Sequence, residues 1–464
     1  MYATGYWIAR SKPGDDKRRG FPGVNSPTEV TTTKVFAIAG PAMVANLTTP
    51  LLGVVSTSAI GRLGDAALLG GVAMAAIAFD CVFWLFGFLR MGTVAFTAQA
   101  LGAQDRVEIR AVLARSLIIA AIIGVSLVAL QRPLASLIFG LMGGSEAATA
   151  AANRYFAIRM WSAPFALANY VLLGWFVGQA RMRTALSLQL AINFVNILAT
   201  VALVIVLDYG IVGAGFAAII AEATGALFGF IAARKLFRGG FNGLRRVVFD
   251  RARVLRLISV NGDIMIRTAS LIAAFFFFTA QGARAGEVTL AANAVLNNFM
   301  MIGAFFLDGL ANAAEQLCGR SIGSGDGNGF RKAARLVSGW SFGFGVAISA
   351  IFFLFGSGLI DVMTSNTDVR ATARVFLPYA ALGPTCAVMA YCFDGIYIGA
   401  TWARDMRNLM IAALATYLAA WYLLQGLGNT GLWISFLIFQ MSRGLYQGAR
   451  FPTLARRSFE GAKA

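Results

Sequence analysis

Long apolar stretches alternate with short polar ones along this chain. Apolar runs fall near residues 35–60, 67–99, 112–131, 155–178, 186–207 and 211–233. Six more follow near 257–281, 288–318, 336–360, 375–400, 409–427 and 430–449. A bilayer-spanning helix takes about 20 apolar residues, so each run is long enough to cross. Lipid offers no hydrogen-bond partner to a bare backbone, which makes helices of such runs. The pattern predicts an all-α integral membrane protein with twelve transmembrane helices.

The polar stretches divide the chain further. Residues 1–33 contain Pro, Gly and a KRR cluster but no continuous apolar core, so they read as a cytoplasmic tail and not a signal peptide. Residues 234–256 form the most basic stretch, a linker between an N-terminal lobe (34–233) and a C-terminal lobe (257–450). Residues 451–464 read as a second cytoplasmic tail.

Composition agrees with the pattern. The chain has 464 residues, 58% of them apolar and 13% charged, with mean hydropathy +0.71. Soluble domains are roughly 45–50% apolar and about 25% charged. The 39 Lys+Arg against 21 Asp+Glu give a net charge of +18. With both termini inside, 30 of those basic residues fall on the inner side. Seven fall outside: Arg62, Arg132, Arg154, Arg159, Arg284, Arg370 and Arg374. Arg90 and Arg267 lie within spans. That asymmetry follows the positive-inside rule and places both termini in the cytoplasm. The basic excess then meets anionic membrane lipid, not nucleic acid.

The chemistry is limited by what is missing. The sequence has no histidine, which excludes a histidine proton relay, a histidine metal site and Ser-His or Cys-His catalysis. Cys81, Cys318, Cys386 and Cys392 sit in apolar runs and read as small core residues. No enzyme, metal or cofactor is expected.

The two halves resemble one another. GRLGDAALLGGVAM (61–74) matches GARAGEVTLAANAV (282–295), aligning Gly64 with Gly286 and Asp65 with Glu287. AQALGAQD (98–105) matches GRSIGSGD (319–326), aligning Gly102 with Gly323 and Asp105 with Asp326. The offsets are 222 and 221 residues. Repeated six-span units in parallel topology are a transporter architecture with a site in the cleft between the halves.

At these residues the chain resembles the MATE (multidrug and toxic compound extrusion) transporters, in their DinF-like branch. LLGVVSTSAIGRLGDAALLGGVA (51–73) and FGFLRMGTVAFTAQALGAQD (86–105) carry the likeness in the first half. DIMIRTASL (263–271), AANAVLNN (291–298), LDGLANAAEQ (307–316) and FDGIYIGATWARDMRN (393–408) carry it in the second. The resemblance implies two six-helix lobes that alternate access and export small organic, cationic compounds in exchange for H+ or Na+. It also implies a multi-pass protein of the bacterial inner (plasma) membrane, acting as a monomer. One position departs from the branch: where its first helix reads LLGLVDT, with a protonatable aspartate, this chain has Ser56. A hydroxyl does not release a proton near neutral pH. Coupling is therefore either lost or moved to another group.

Charged residues inside spans cost on the order of 2.5–3.5 kcal/mol each and need a partner, water or a function. Six acids fall there: Asp80, Glu222, Asp263, Asp308, Glu315 and Asp394. Asp80 is the mid-membrane acid of the second span, in AIAFDCVFW, and is the candidate for a relocated proton site. The alternative is an ion pair with Arg90, against which their ten-residue spacing argues, or a hydrogen bond to a neighbouring helix. Asp308 and Asp394 are further coupling-ion candidates. Asp263 and Arg267, four apart with the acid first, fit an intrahelical ion pair. Helical periodicity puts Asn293, Asn297, Asp308, Asn312 and Glu315 on one stripe of the eighth span, with 300 and 307 toward lipid. The stripe fits a water-filled cavity, or alternatively an interhelical hydrogen-bond seam. Tyr391, Asp394 and Tyr397 cluster on the tenth span, where rings beside a carboxylate suit an organic cation. Ser56, Asn293, Asn297, Asn312, Glu315, Tyr391 and Tyr397 are thus the substrate-cavity candidates. Pro41 and Pro50 permit a bend in the first span. A flippase of a lipid-linked precursor is the alternative function. It would need several basic residues in its cavity, against which the excess of acids argues.

Overall fold

The computed structural model describes residues 30–61, 66–143, 145–234 and 244–460, with side chains except at 49–61 and 66–67. Every regular element among them is a helix. The helices are α1 (Thr32–Gly61), α2 (Ala66–Leu85), α3 (Phe88–Gly102), α4 (Arg106–Ala129), α5 (Gln131–Met142), α6 (Glu146–Arg159), α7 (Ala163–Gly178) and α8 (Met182–Thr200). They continue as α9 (Gly210–Arg234), α10 (Leu244–Val248), α11 (Arg251–Arg284), α12 (Glu287–Ser324), α13 (Gly327–Met363), α14 (Thr367–Gly399), α15 (Ala403–Leu424) and α16 (Asn429–Glu460).

Each expected span has its helix. The second is α2 running into α3, and the fourth is α6 running into α7; the remaining spans are α1, α4, α8, α9 and α11 to α16. Two helices lie outside the expectation. The 12-residue α5 is too short to cross a bilayer, and α10 is a five-residue turn within the basic linker. The last span also continues as helix through Pro452 to Glu460.

The chain forms two compact units. The N-terminal unit holds Gly40–Thr97 and Arg106–Ile272. The C-terminal unit holds the residues up to Ala39, Ala98–Asp105 and those from Ala273 onward. In the N-terminal unit the linker end is fastened down. Leu244 and Val248 of α10 pack on Ala111 of α4. The buried Glu108 carboxylate holds Arg115 at 2.5 Å and also pairs with Arg253 of α11.

The internal repeat is visible in the packing. In the N-terminal unit, a Cβ on Gly174 of α7 would stand 2.4 Å from the Arg90 carbonyl of α3, and one on Gly178 would stand 2.8 Å from that of Val94. In the C-terminal unit, Gly395 and Gly399 of α14 stand likewise at 2.4 Å from the carbonyls of Ala311 and Glu315 of α12. All four pairs of equivalent residues are 221 positions apart. Glycines spaced by four let membrane helices approach backbone to backbone, so each half joins its second and fourth spans in the same way. The αL residues repeat too: Gln104 with Gly325, and Ala180 with Thr401. Gly102 and Gly323 face each other's helices within the C-terminal unit. Their Cβ positions would lie 2.0 Å from the Arg320 carbonyl and 1.9 Å from that of Gln99. The repeated motif at 98–105 and 319–326 is therefore a backbone contact between its two copies.

Candidate functional site

Asp80 sits on α2 and is exposed, although Ala78 and Phe79 beside it are buried. Close packing of α2 on α6 explains its surroundings. Gly71 faces the Ala148 carbonyl, where a Cβ would stand 2.6 Å away. That approach brings Arg159, at the end of α6, over the Phe79 ring at 4.5 Å. The Arg159 guanidinium donates to the Tyr155 hydroxyl at 3.3 Å and lies within electrostatic reach of both Asp80 and Glu222. Glu222 of α9 accepts a hydrogen bond from Asn169 of α7 at 2.7 Å. Tyr170, next to Asn169, lies within reach of the same three charges and of Arg90. Helices α2, α3, α6, α7 and α9 thus bring two acids, two arginines and two phenols to one region of the N-terminal unit. Such a cluster can hold a positive charge, or exchange it for a proton, without exposing an isolated ion to lipid.

The corresponding region of the C-terminal unit is built differently. Asp394 of α14 is buried, and its Oδ2 accepts from Arg443 of α16 at 2.8 Å. Its Oδ1 accepts from Gln447 at 2.8 Å. Arg443 also donates to Gln440 at 2.6 Å and lies 5.8 Å from the Tyr391 ring centroid. Tyr391 is half-buried beside this pair. Tyr397, expected at a cavity, is instead fully buried. Its hydroxyl donates to the Gln447 carbonyl at 2.7 Å, and its ring packs on Trp402. The cause is the packing of α14 on α16, which consumes that face of the tenth span.

The polar stripe of α12 divides between its two readings. Asn293 belongs to an interhelical seam. It exchanges hydrogen bonds with Asn429 at 2.8 and 3.0 Å and accepts from Trp433 at 2.9 Å. Asn312 and Glu315 are buried, the latter where Gly399 of α14 approaches its backbone. Asn297 and Asp308 are half-buried. Met300 and Leu307, expected toward lipid, are buried at 5% and 1% exposure. Helix α12 packs against both α13 and α14, so the side opposite the stripe meets protein.

Asp263 and Arg267 stand one turn apart on α11, both buried. The side chains of Ser56 and Pro50 lie outside the described residues, whereas Pro41 is half-buried within α1. Three functional side chains escaped the sequence reading. Arg443 was counted with the basic C-terminus, although its apolar flank FLIFQMSR marked it as intramembrane. Arg159 counts on the outer side in the sequence, although it falls four residues inside the run near 155–178 and closes α6. Asn169, in an apolar run, gave no signal. Moving both arginines into the spans leaves the asymmetry of the remaining basic residues intact, and changes the intramembrane balance to six acids against four arginines.

A family model described as MatE matches residues 41–206 and 264–422. The chain is similar to the DNA damage-inducible protein F of Escherichia coli (strain K12), with 37% identity over 412 residues, 89% of this chain and 90% of that one. It is also similar to the probable multidrug resistance protein NorM of Rhizobium meliloti (strain 1021), 26% identical over 420 residues, 86% of this chain and 88% of that one. Among solved structures, an outward-facing multidrug resistance MATE family transporter of the MOP superfamily shares the fold. Its TM-score is 0.82 at 21% identity, covering 91% of this chain and 96% of the other. A MATE crystal structure in the bent conformation gives a TM-score of 0.83 at 20% identity, covering 92% and 96%.

Proposed function

The chain belongs to the MatE family of membrane transporters, and on that premise we propose that it is a secondary antiporter exporting organic cations in exchange for protons, with Asp80 as the proton carrier. The observation that carries this reading is the exposure of Asp80 midway along an apolar helix. A carboxylate bare to lipid is costly, so this one faces water or a substrate path. Arg159 lies within its electrostatic reach, so the cluster stays tolerable when Asp80 is ionised.

Two charge states of this cluster suffice for exchange. Ionised Asp80, together with Glu222, attracts an organic cation. A proton taken up by Asp80 removes one negative charge and weakens that attraction. Drive and cargo are linked because each binds one state better than the other. This assigns to the second span the role that the family's first-helix aspartate would have, where this chain carries Ser56. The protein sits in a bacterial inner membrane as a monomer with both termini in the cytoplasm. No cofactor is required, since the ionisable groups belong to the chain.

The test is flux of a fluorescent organic cation in proteoliposomes holding the purified protein. An imposed pH gradient should drive accumulation against the cation's own gradient, and collapse of the pH gradient should release it. Flux indifferent to both pH and sodium gradients would refute antiport.

A further inference from the structure

Arg443 lies in a cage whose parts are those of a cation site. Its guanidinium meets the Asp394 carboxylate at 2.8 Å and the Gln440 amide oxygen at 2.6 Å. The rings of Tyr391 and Phe439 lie 5.8 and 5.6 Å from its central carbon. Gln447 donates to Asp394 at 2.8 Å, and its own amide oxygen is buried without a hydrogen-bond partner among the described residues. Arg443, Asp394, Gln440 and Gln447 are all at most 5% exposed. One carboxylate, one amide oxygen and two ring faces around a positive charge provide oxygen ligation and cation–π attraction together.

The occupant is fixed by the backbone of α16 and stays charged at every physiological pH. It neither leaves with cargo nor releases a proton. We infer that this cage is a monovalent-cation site filled by the chain's own guanidinium, and that Arg443 thereby removes Asp394 from the coupling step. The inference rests on the proton role proposed for Asp80, because Asp394 then has no share in exchange. It also decides specificity: Asp394 is satisfied before any external cation arrives, so sodium finds no vacant carboxylate there.

The experiment uses the full-length protein and methylguanidinium as probe. Arg443→Ala should melt below wild type in detergent. Methylguanidinium chloride should restore at least half of that loss, whereas choline chloride at equal concentration should restore none. Adding Asp394→Asn should abolish the restoration, and wild type should not respond. No restoration in folded Arg443→Ala, or equal restoration without the carboxylate, overturns the cage. Should Arg443→Ala fail to fold, the charge-neutral Arg443→Gln/Asp394→Asn pair provides the second reading in proteoliposomes. Export that still follows the pH gradient and ignores sodium supports the proposal, and loss of pH dependence overturns it. Failure of the Asp80 reading is separately visible, as Asp80→Asn protein that still couples.

Discussion

Gly174 and Gly395 make the same contact in the two halves of the chain. Each brings its α-carbon against a backbone carbonyl of the second span of its own half, that of Arg90 and of Ala311. The residues one turn on, Gly178 and Gly399, repeat it. A side chain at any of the four would press on backbone, which cannot rotate away. Gly174→Leu and Gly395→Leu should therefore each destabilise the protein, by about 1–3 kcal/mol or more. Thermal melting in detergent reads the effect, with Gly339→Leu as control, because nothing lies within 4 Å of its Cβ position.

The Glu108 clamp should behave asymmetrically. Glu108→Ala leaves the buried Arg115 without its carboxylate, and breaking a buried pair costs about 3–5 kcal/mol. Arg253→Ala removes a half-exposed partner and should cost under about 1 kcal/mol. Limited proteolysis at the 234–256 linker should accelerate in the first variant and scarcely change in the second.

The seam around Asn293 gives a third outcome. Asn293→Ala leaves the Asn429 amide and the Trp433 indole without their partner, at about 1–2 kcal/mol for such membrane hydrogen bonds. The melting temperature should fall while the apparent affinity for an organic cation stays within twofold. A large loss of affinity with unchanged melting would return Asn293 to the cavity.

Topology is open to direct labelling. Single cysteines at 245 in α10 and at 458 near the end of α16 should escape impermeant thiol reagents added to intact cells. Both should label after permeabilisation. Strong labelling from outside at either position would invert the orientation.

The spans were legible because burial in lipid writes itself into the sequence as length and apolarity. The repeat was legible because Gly102 and Gly323 must each be glycine where helices touch. Side-chain partnership was harder to read. Arg443 and Asp394 are 49 residues apart, and Asn293 and Trp433 are 140 apart. Periodicity along one helix places a residue on a face without saying what covers it. Met300 and Leu307 lie on the apolar side of α12 and would look the same against lipid or against α13 and α14. Arg159 lies near the start of the apolar run at 155–178, where a basic side chain reads as an outer flank; its place over the Phe79 ring is set by the packing of α2 on α6, which the sequence does not show.

The most direct test is pH-gradient-driven export of a fluorescent organic cation by Asp80→Asn protein in proteoliposomes. The amide keeps the size and hydrogen bonding of the carboxylate but cannot cycle a proton. Export should fall to the level of empty vesicles while cation binding persists without pH dependence. Adding Ser56→Asp in that background should restore part of the flux. Export by Asp80→Asn at the wild-type rate, with the same dependence on the pH gradient, would contradict the assignment.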